Sequence, residues 1–402
     1  MGQHHVTVTA SDVYYDPYDR EILADPYPYF RRLRDAAPLY YNERYDFWAV
    51  SRFADVEAAL IDKNTFSNEK GVLLDIVKAD IEMPPGTLIH EQDPSHAIHR
   101  QLLSRVFTPR AIAAIEPMVR GFCAHRLDEL VGRDSFDMVA EFAEFVPMRV
   151  FGMLLGIPEE DQQRVFEHVE QGMNTEPGKP NAYEDGFPTG DFYAEWVDAR
   201  LANPRDDVIT RLVTTEFDDE QGVRRTLTRD EVLMYLSVIA GAGNHTTNRL
   251  ISWTAKVLAD HPDARRELVA DRSLIPDAIE ETLRFEPSTA QIARWVAEDV
   301  EIHGQLVPRG SAMLCIVGSA NRDEREFDDP DRFDIHRKIA HHLTFGYGAH
   351  FCLGAALARL EGRVALEEML ARFADWEVDL AQSELGTAPG VRGYSSLRIV
   401  LS

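Results

Sequence analysis

Three cysteines in 402 residues are too few for a disulfide framework. Cys123, Cys315 and Cys352 are an odd set without a CxxC pair, which fits a reducing compartment. Long apolar runs are also missing. The best stretch, Leu233 to Gly243, lies between Glu231 and His245 and falls short of the roughly 18 residues a membrane helix needs. The N-terminal MGQHHVTVTASD has no basic start with an apolar core, and no Ser or Thr at position six for myristoylation, so the expectation is a cytoplasmic protein. Positive charge is scarce: 42 Lys and Arg face 68 Asp and Glu, a formal charge of -26. Such a surface repels phosphate backbones and argues against general nucleic-acid binding. Repeats, low-complexity runs and Gly/Ser or Pro-rich linkers are absent, and 45% hydrophobic content describes a globular chain.

The first ~110 residues mix aromatic, turn-rich and short extended segments such as YDFWAVSRF with brief helical patterns such as Pro28 to Ala36. From about Pro109 to Pro287 the pattern is helical. Beyond Arg294 short strands return, as in DVEIHGQLVPRGSAMLCIVGSAN, before a last helix from about Leu353 to Phe373. The reading is one large, mainly α domain over residues 1–402 with a small β-rich corner, residues 1–20 being an N-terminal extension.

The longest helix occupies residues 228–261. Thr228 and Glu231 form a capping box and Pro262 stops it, giving a rod of ~50 Å. Its centre reads IAGAGNHTTNR, and each interior glycine costs about 1 kcal/mol relative to Ala. Either something flat lies against Gly241 and Gly243, or another helix packs there closely. Gly241-Ala242-Gly243 imitates a dinucleotide fingerprint, but Thr246 replaces the third glycine and no strand precedes it, so that reading fails.

The segment LTFGYGAHFCLGAALARLEGR, residues 343–363, carries the most specific signal. Gly346 and Gly348 make a tight loop, Cys352 follows, and Gly354 opens a helical run. A thiol beside free backbone N–H groups at the positive end of a helix has its pKa lowered toward thiolate, the form a soft metal needs. Phe345, two residues, Gly348, three residues, Cys352, one residue, Gly354: this spacing closely resembles the haem-binding signature of the cytochrome P450 family.

That resemblance implies a triangular, predominantly α fold, a haem b cofactor with Cys352 as ligand to its iron, and a soluble bacterial-type monooxygenase. Other positions match in order. Glu281 and Arg284 in AIEETLRFEP correspond to the family's Glu-x-x-Arg helix, with Arg332 in FDDPDRF as the arginine that joins them. His96 and Arg100 in DPSHAIHRQLL, with Arg294 and His350, correspond to the cations that clamp the haem propionates. Phe107, Ala242, Phe345, Gly346, Gly354 and Ala358 fall where the family packs the macrocycle. Thr246 corresponds to the oxygen-activating alcohol, while His245 stands where the family has an acid, either relaying protons or packing away from the pocket.

The implied reaction is insertion of one oxygen atom from O2 into an apolar small molecule, commonly hydroxylation. Electrons would come from a separate ferredoxin and its reductase, since no flavin or nicotinamide domain is expected in this chain. His96, His99, Arg100, Arg105 and Arg110 form a basic island without an acid, either a docking surface for an acidic ferredoxin or a solvated helix face. The pocket walls are expected from Lys70 to His90, from the helices between about Phe166 and Asp198, from Ser288 to Ile292, and from Tyr394. A peroxide-using or rearranging relative is one rival. Another is a metal-binding protein using His341, His342, His350 and Cys352.

Overall fold

A computed structural model describes residues 13–173, 179–181, 190–386 and 390–401. Its axis is the helix Arg229–Asp260, 32 residues long. Thr228 caps it: the Thr228 hydroxyl accepts from the Glu231 N–H at 3.2 Å, and the Glu231 carboxylate accepts from the Thr228 N–H at 2.7 Å. Against it pack the helices Phe145–Leu155, Ile275–Phe285 and Ala355–Arg372, and Pro109–Asp128 packs on Ala355–Arg372; together they enclose the largest apolar core. The long helix and Ala355–Arg372 cross closely because Gly362 has no side chain; a Cβ there would lie 3.1 Å from Leu250 Cδ2.

The β-rich corner is a five-stranded sheet in the order Leu39–Asn42, Phe47–Val50, Ala312–Cys315, Ile292–Val296, Phe66–Ser67. Only the pairing of Phe47–Val50 with Ala312–Cys315 is parallel. The register sets Met313 beside Arg294, which fixes that arginine on a strand flanked by strands on both sides. Among the described residues no helix is long and apolar enough to cross a membrane.

Two expectations need correction. Residues 13–20 are not an extension: Val13, Tyr15 and Tyr18 are buried with Phe30, Phe47 and Ala293. The Tyr15 hydroxyl donates to Gln291 Oε1 at 2.8 Å. Residues 1–12 lie outside the described set.

The second correction concerns the buried ion network. Glu281 and Arg284 are fully buried and joined by two hydrogen bonds of 2.7 Å. The third member, however, is Arg337, whose Nε donates to Glu281 Oε1 at 3.3 Å. Arg332 is 63% exposed on its side chain, drawn outward by Asp329 and Asp334. It gives the network only its carbonyl, which accepts from Arg284 Nη2 at 3.3 Å.

Candidate cofactor site

The Cys352 loop is tied to the fold on both sides. Asn321 Oδ1 accepts from the Leu343 N–H at 2.8 Å, and the Thr344 hydroxyl donates to Leu283 O at 2.6 Å. The loop turns back so that the Cys352 N–H donates to Phe345 O at 2.8 Å. Gly346 and Gly348 have φ of +69° and +74°, a region that disfavours side chains, and a Cβ on Gly348 would meet Ile61 Cα at 3.3 Å. Phe345 is held under the Arg359 guanidinium at 4.6 Å, and Arg359 is fixed by two hydrogen bonds to Glu280.

Cys352 is accessible although protein surrounds it, so its thiol opens onto an internal cleft. Burial raises its pKa, outweighing the Gly354 N–H, Arg100 and Arg359, which lower it. The expected thiolate bias from the helix start is therefore reversed. The pull of the helix start is present but outweighed by burial, and a bound cation would supply the balance for thiolate here.

A second feature is the middle of the long helix. In a helix otherwise mostly buried, Gly241, Ala242, Gly243 and Thr246 form an accessible strip. A Cβ built on Gly241 or Gly243 meets nothing within 4 Å, so these glycines are not there for helix packing. They leave a smooth face of the kind a flat ligand uses. The Thr246 hydroxyl borders this strip and donates to Ala242 O at 2.8 Å. His245 points elsewhere: it is buried, and burial with the nearby Arg249 guanidinium pushes its imidazole down to about 4.

At one edge of the cleft four residues expected to act together do meet. The rings of His96 and His350 stack at 4.0 Å between centroids. Burial first, then His96, Arg294 and Arg100, push His350 down to about 3. Arg100 donates to Phe351 O. Arg294 is buried and donates to Ala293 O at 2.9 Å; among the described residues no carboxylate pairs with Arg100 or Arg294. Such an arrangement calls for an anion. His90, expected only as the end of a pocket wall, joins the cluster: burial and Arg294 push it down to about 4. No spacing signal announced it, since only the turn Leu88–His90 brings it inward.

These features fit haem: a sulfur ligand for iron, a bare helical strip for the macrocycle, and unpaired cations for two carboxylates. Phe107, Phe345 and Ala358 are partly buried around the same region. The zinc alternative fails. His341 pairs with Glu57, His342 faces Glu280, and His350 stacks on His96; among the described residues no three potential metal ligands converge.

The basic island divides. His96 and His99 are buried, His99 at 2.9 Å from Glu91, and Arg100 turns toward Cys352. Only Arg105 and Arg110 remain exposed. Of the expected pocket walls, Leu74 and Val77 pack into the core beside the sheet instead. Ser288 to Ile292 meets the C-terminal segment through a Thr289–Val391 bridge. Part of the span Phe166 to Asp198 lies outside the described residues.

An accessible cysteine at a helix entry, a bare strip on the central helix and arginines without carboxylate partners among the described residues are what a cysteine-ligated cofactor would need. Comparison with known proteins agrees. The family model described as Cytochrome P450 matches residues 187–385. A putative cytochrome P450 123 of Mycobacterium tuberculosis is 39% identical over 400 residues, covering 98% of each chain. A cyclomarin C epoxidase of Salinispora arenicola is 34% identical, covering 92% of this chain and 94% of the relative. The solved cytochrome P450 from Chondromyces apiculatus superposes with a TM-score of 0.84 at 34% identity, covering 96% and 98% of the two chains. The chain belongs to the cytochrome P450 family of haem-thiolate monooxygenases.

Proposed function

We propose that this protein hydroxylates an apolar small molecule, with haem b held by Cys352 and electrons delivered by a ferredoxin and its reductase. A reducing cytoplasm suits a ligand thiol that must stay unoxidised. The observation that carries the reading is the accessible Cys352 thiol together with the bare strip Gly241 to Thr246. Haem, when bound, supplies the activation of O2 from which one oxygen atom enters the substrate.

The chain's own residues do the rest. Arg100, Arg294, His96 and His350 would hold and orient the two propionates. Thr246 keeps a proton at Oγ1, now given to Ala242 O; a turn about χ1 aims it into the cleft. The test is Thr246→Ala: reducing equivalents should still be consumed, but less product should form per electron pair, the difference appearing as hydrogen peroxide. Unchanged coupling would remove Thr246 from proton delivery. A peroxide-driven variant of the reaction would instead show turnover with peroxide alone at the reconstituted rate.

Arg100→Ala or Arg294→Ala should weaken haem retention by about 1–3 kcal/mol, since a propionate loses a charged partner. Arg105→Glu and Arg110→Glu should spare haem and slow electron transfer from an acidic ferredoxin. Haem transfer to apomyoglobin and stopped-flow reduction measure the two separately.

His245 acts by packing in this reading, because it is neutral across the working range. Turnover of His245→Phe between pH 6 and 8 should follow the wild-type profile. Acid stability should differ. His245 and His90 take up a proton near 6.5 when unfolded but only near 4 when folded, so their stability contribution is complete above 6.5 and is lost as pH falls toward 4. Unfolding midpoints of His245→Phe should fall less steeply over that window.

A further inference from the structure

One carboxyl on the helix that follows Cys352 has no part in the roles above. Glu361, in Ala355–Arg372, is 2% exposed, and its Oε2 has no hydrogen-bond partner among the described residues. A buried carboxyl without donors is costly as an anion and tolerable as an acid. Burial alone accounts for its pKa, which is pushed up to about 8.

Among the described residues no cation pairs with it. The facing helix Pro109–Asp128 brings Cys123, fully buried and itself pushed up by burial and by Glu361. The charges at the rim of these two helices are engaged with one another: Arg120 with Glu116, Glu367 and Glu368; Arg363 with Glu116 and Glu367; Arg372 with Asp128 and Glu368. The long helix and Ile275–Phe285 meet the adjacent Gly362 through Leu250 and Ile279, which are apolar. Glu361 stands six residues beyond Ala355, roughly 9 Å along the axis from the first residue of the helix, and Cys352 lies three residues before that. A charge at that depth is little screened.

We propose that Glu361 takes up one proton when the cofactor on Cys352 is reduced. The inference rests on reading Cys352 as the haem ligand. One electron passes from the protein donor to the iron, and one proton passes from water to the Glu361 carboxylate, giving the carboxylic acid. The interior charge is then unchanged. An added electron makes loss of that proton harder, so reduction and protonation are linked in the range above the oxidised-state pKa. At lower pH the group is protonated in both states and has no effect.

The experiment is the midpoint potential of the holoprotein from about pH 6 to 10, wild type against Glu361→Gln. The wild-type potential should be level at neutral pH and fall as the pH rises beyond about 8, the value to which burial brings this carboxyl. Glu361→Gln should stay level at the wild-type neutral value throughout. A level wild-type curve, or the same fall in the variant, overturns the proposal. Should the variant not fold, reduction-induced infrared difference spectra of the wild type at about pH 8.5 decide: a gained protonated-carboxyl band supports the linkage, and its absence refutes it. Failure of the ligand reading would look different, as a ferrous carbon monoxide adduct without the thiolate Soret band.

Discussion

Replacing Cys352 with serine is expected to give a folded chain whose ferrous carbon monoxide complex lacks the red-shifted Soret band of thiolate ligation. The loop should survive, since its fixed points are backbone and side-chain bonds made by Leu343, Thr344 and the Cys352 N–H, none of which uses the sulfur. What disappears is the accessible thiol; the other two cysteines, Cys123 and Cys315, are buried. A hydroxyl is a poor iron ligand at neutral pH. Product formation should fall by more than the 10–100-fold typical of losing an outer partner of a metal site. Retention of the red-shifted band in the variant would show that the ligand is elsewhere.

Glu281→Ala should be the most damaging change outside the cleft. Glu281 accepts from Arg284 twice, from Arg337, and from the Asp334 N–H at 2.9 Å. Removing it strands two guanidiniums on one buried site, a loss of about 3–5 kcal/mol. Against a total of about 5–15 kcal/mol, that should lower the yield of holoprotein and its unfolding midpoint in denaturant. Arg337→Ala should cost about 1–3 kcal/mol, since it removes the charged hydrogen bond to Glu281 and three more to the carbonyls of Asp328, Asp329 and Arg332. Arg332→Ala should stay within about 0.5 kcal/mol, because its side chain faces solvent. A larger loss at Arg332 than at Arg337 would restore the arrangement first expected from FDDPDRF.

Arg332 and Arg337 show where sequence reading stops. Both lie in the same arginine-bearing stretch after Pro330, and the family resemblance pointed to Arg332 rather than Arg337 as the partner of Glu281. Which of the two turns inward depends on Asp329 and Asp334, whose carboxylates draw Arg332 outward. His245 is similar. Its position before Thr246 was plain, but its neutrality comes from burial and from Arg249, and so from how the long helix sits among its neighbours.

By itself the sequence determined the elements whose signals are local. The capping box at Thr228, the glycines at 241 and 243, and the loop ending in Cys352 all act within a few residues of chain, through backbone geometry that neighbours dictate. Tertiary structure alone decided the electrostatics. It buried His96 and His99 out of the basic island, drew His90 into the clamp, raised Cys352 against its helix, and left Glu361 with no cation paired to it among the described residues. Desolvation and charge pairing sum over groups brought together from distant parts of the chain, and no local pattern encodes that sum.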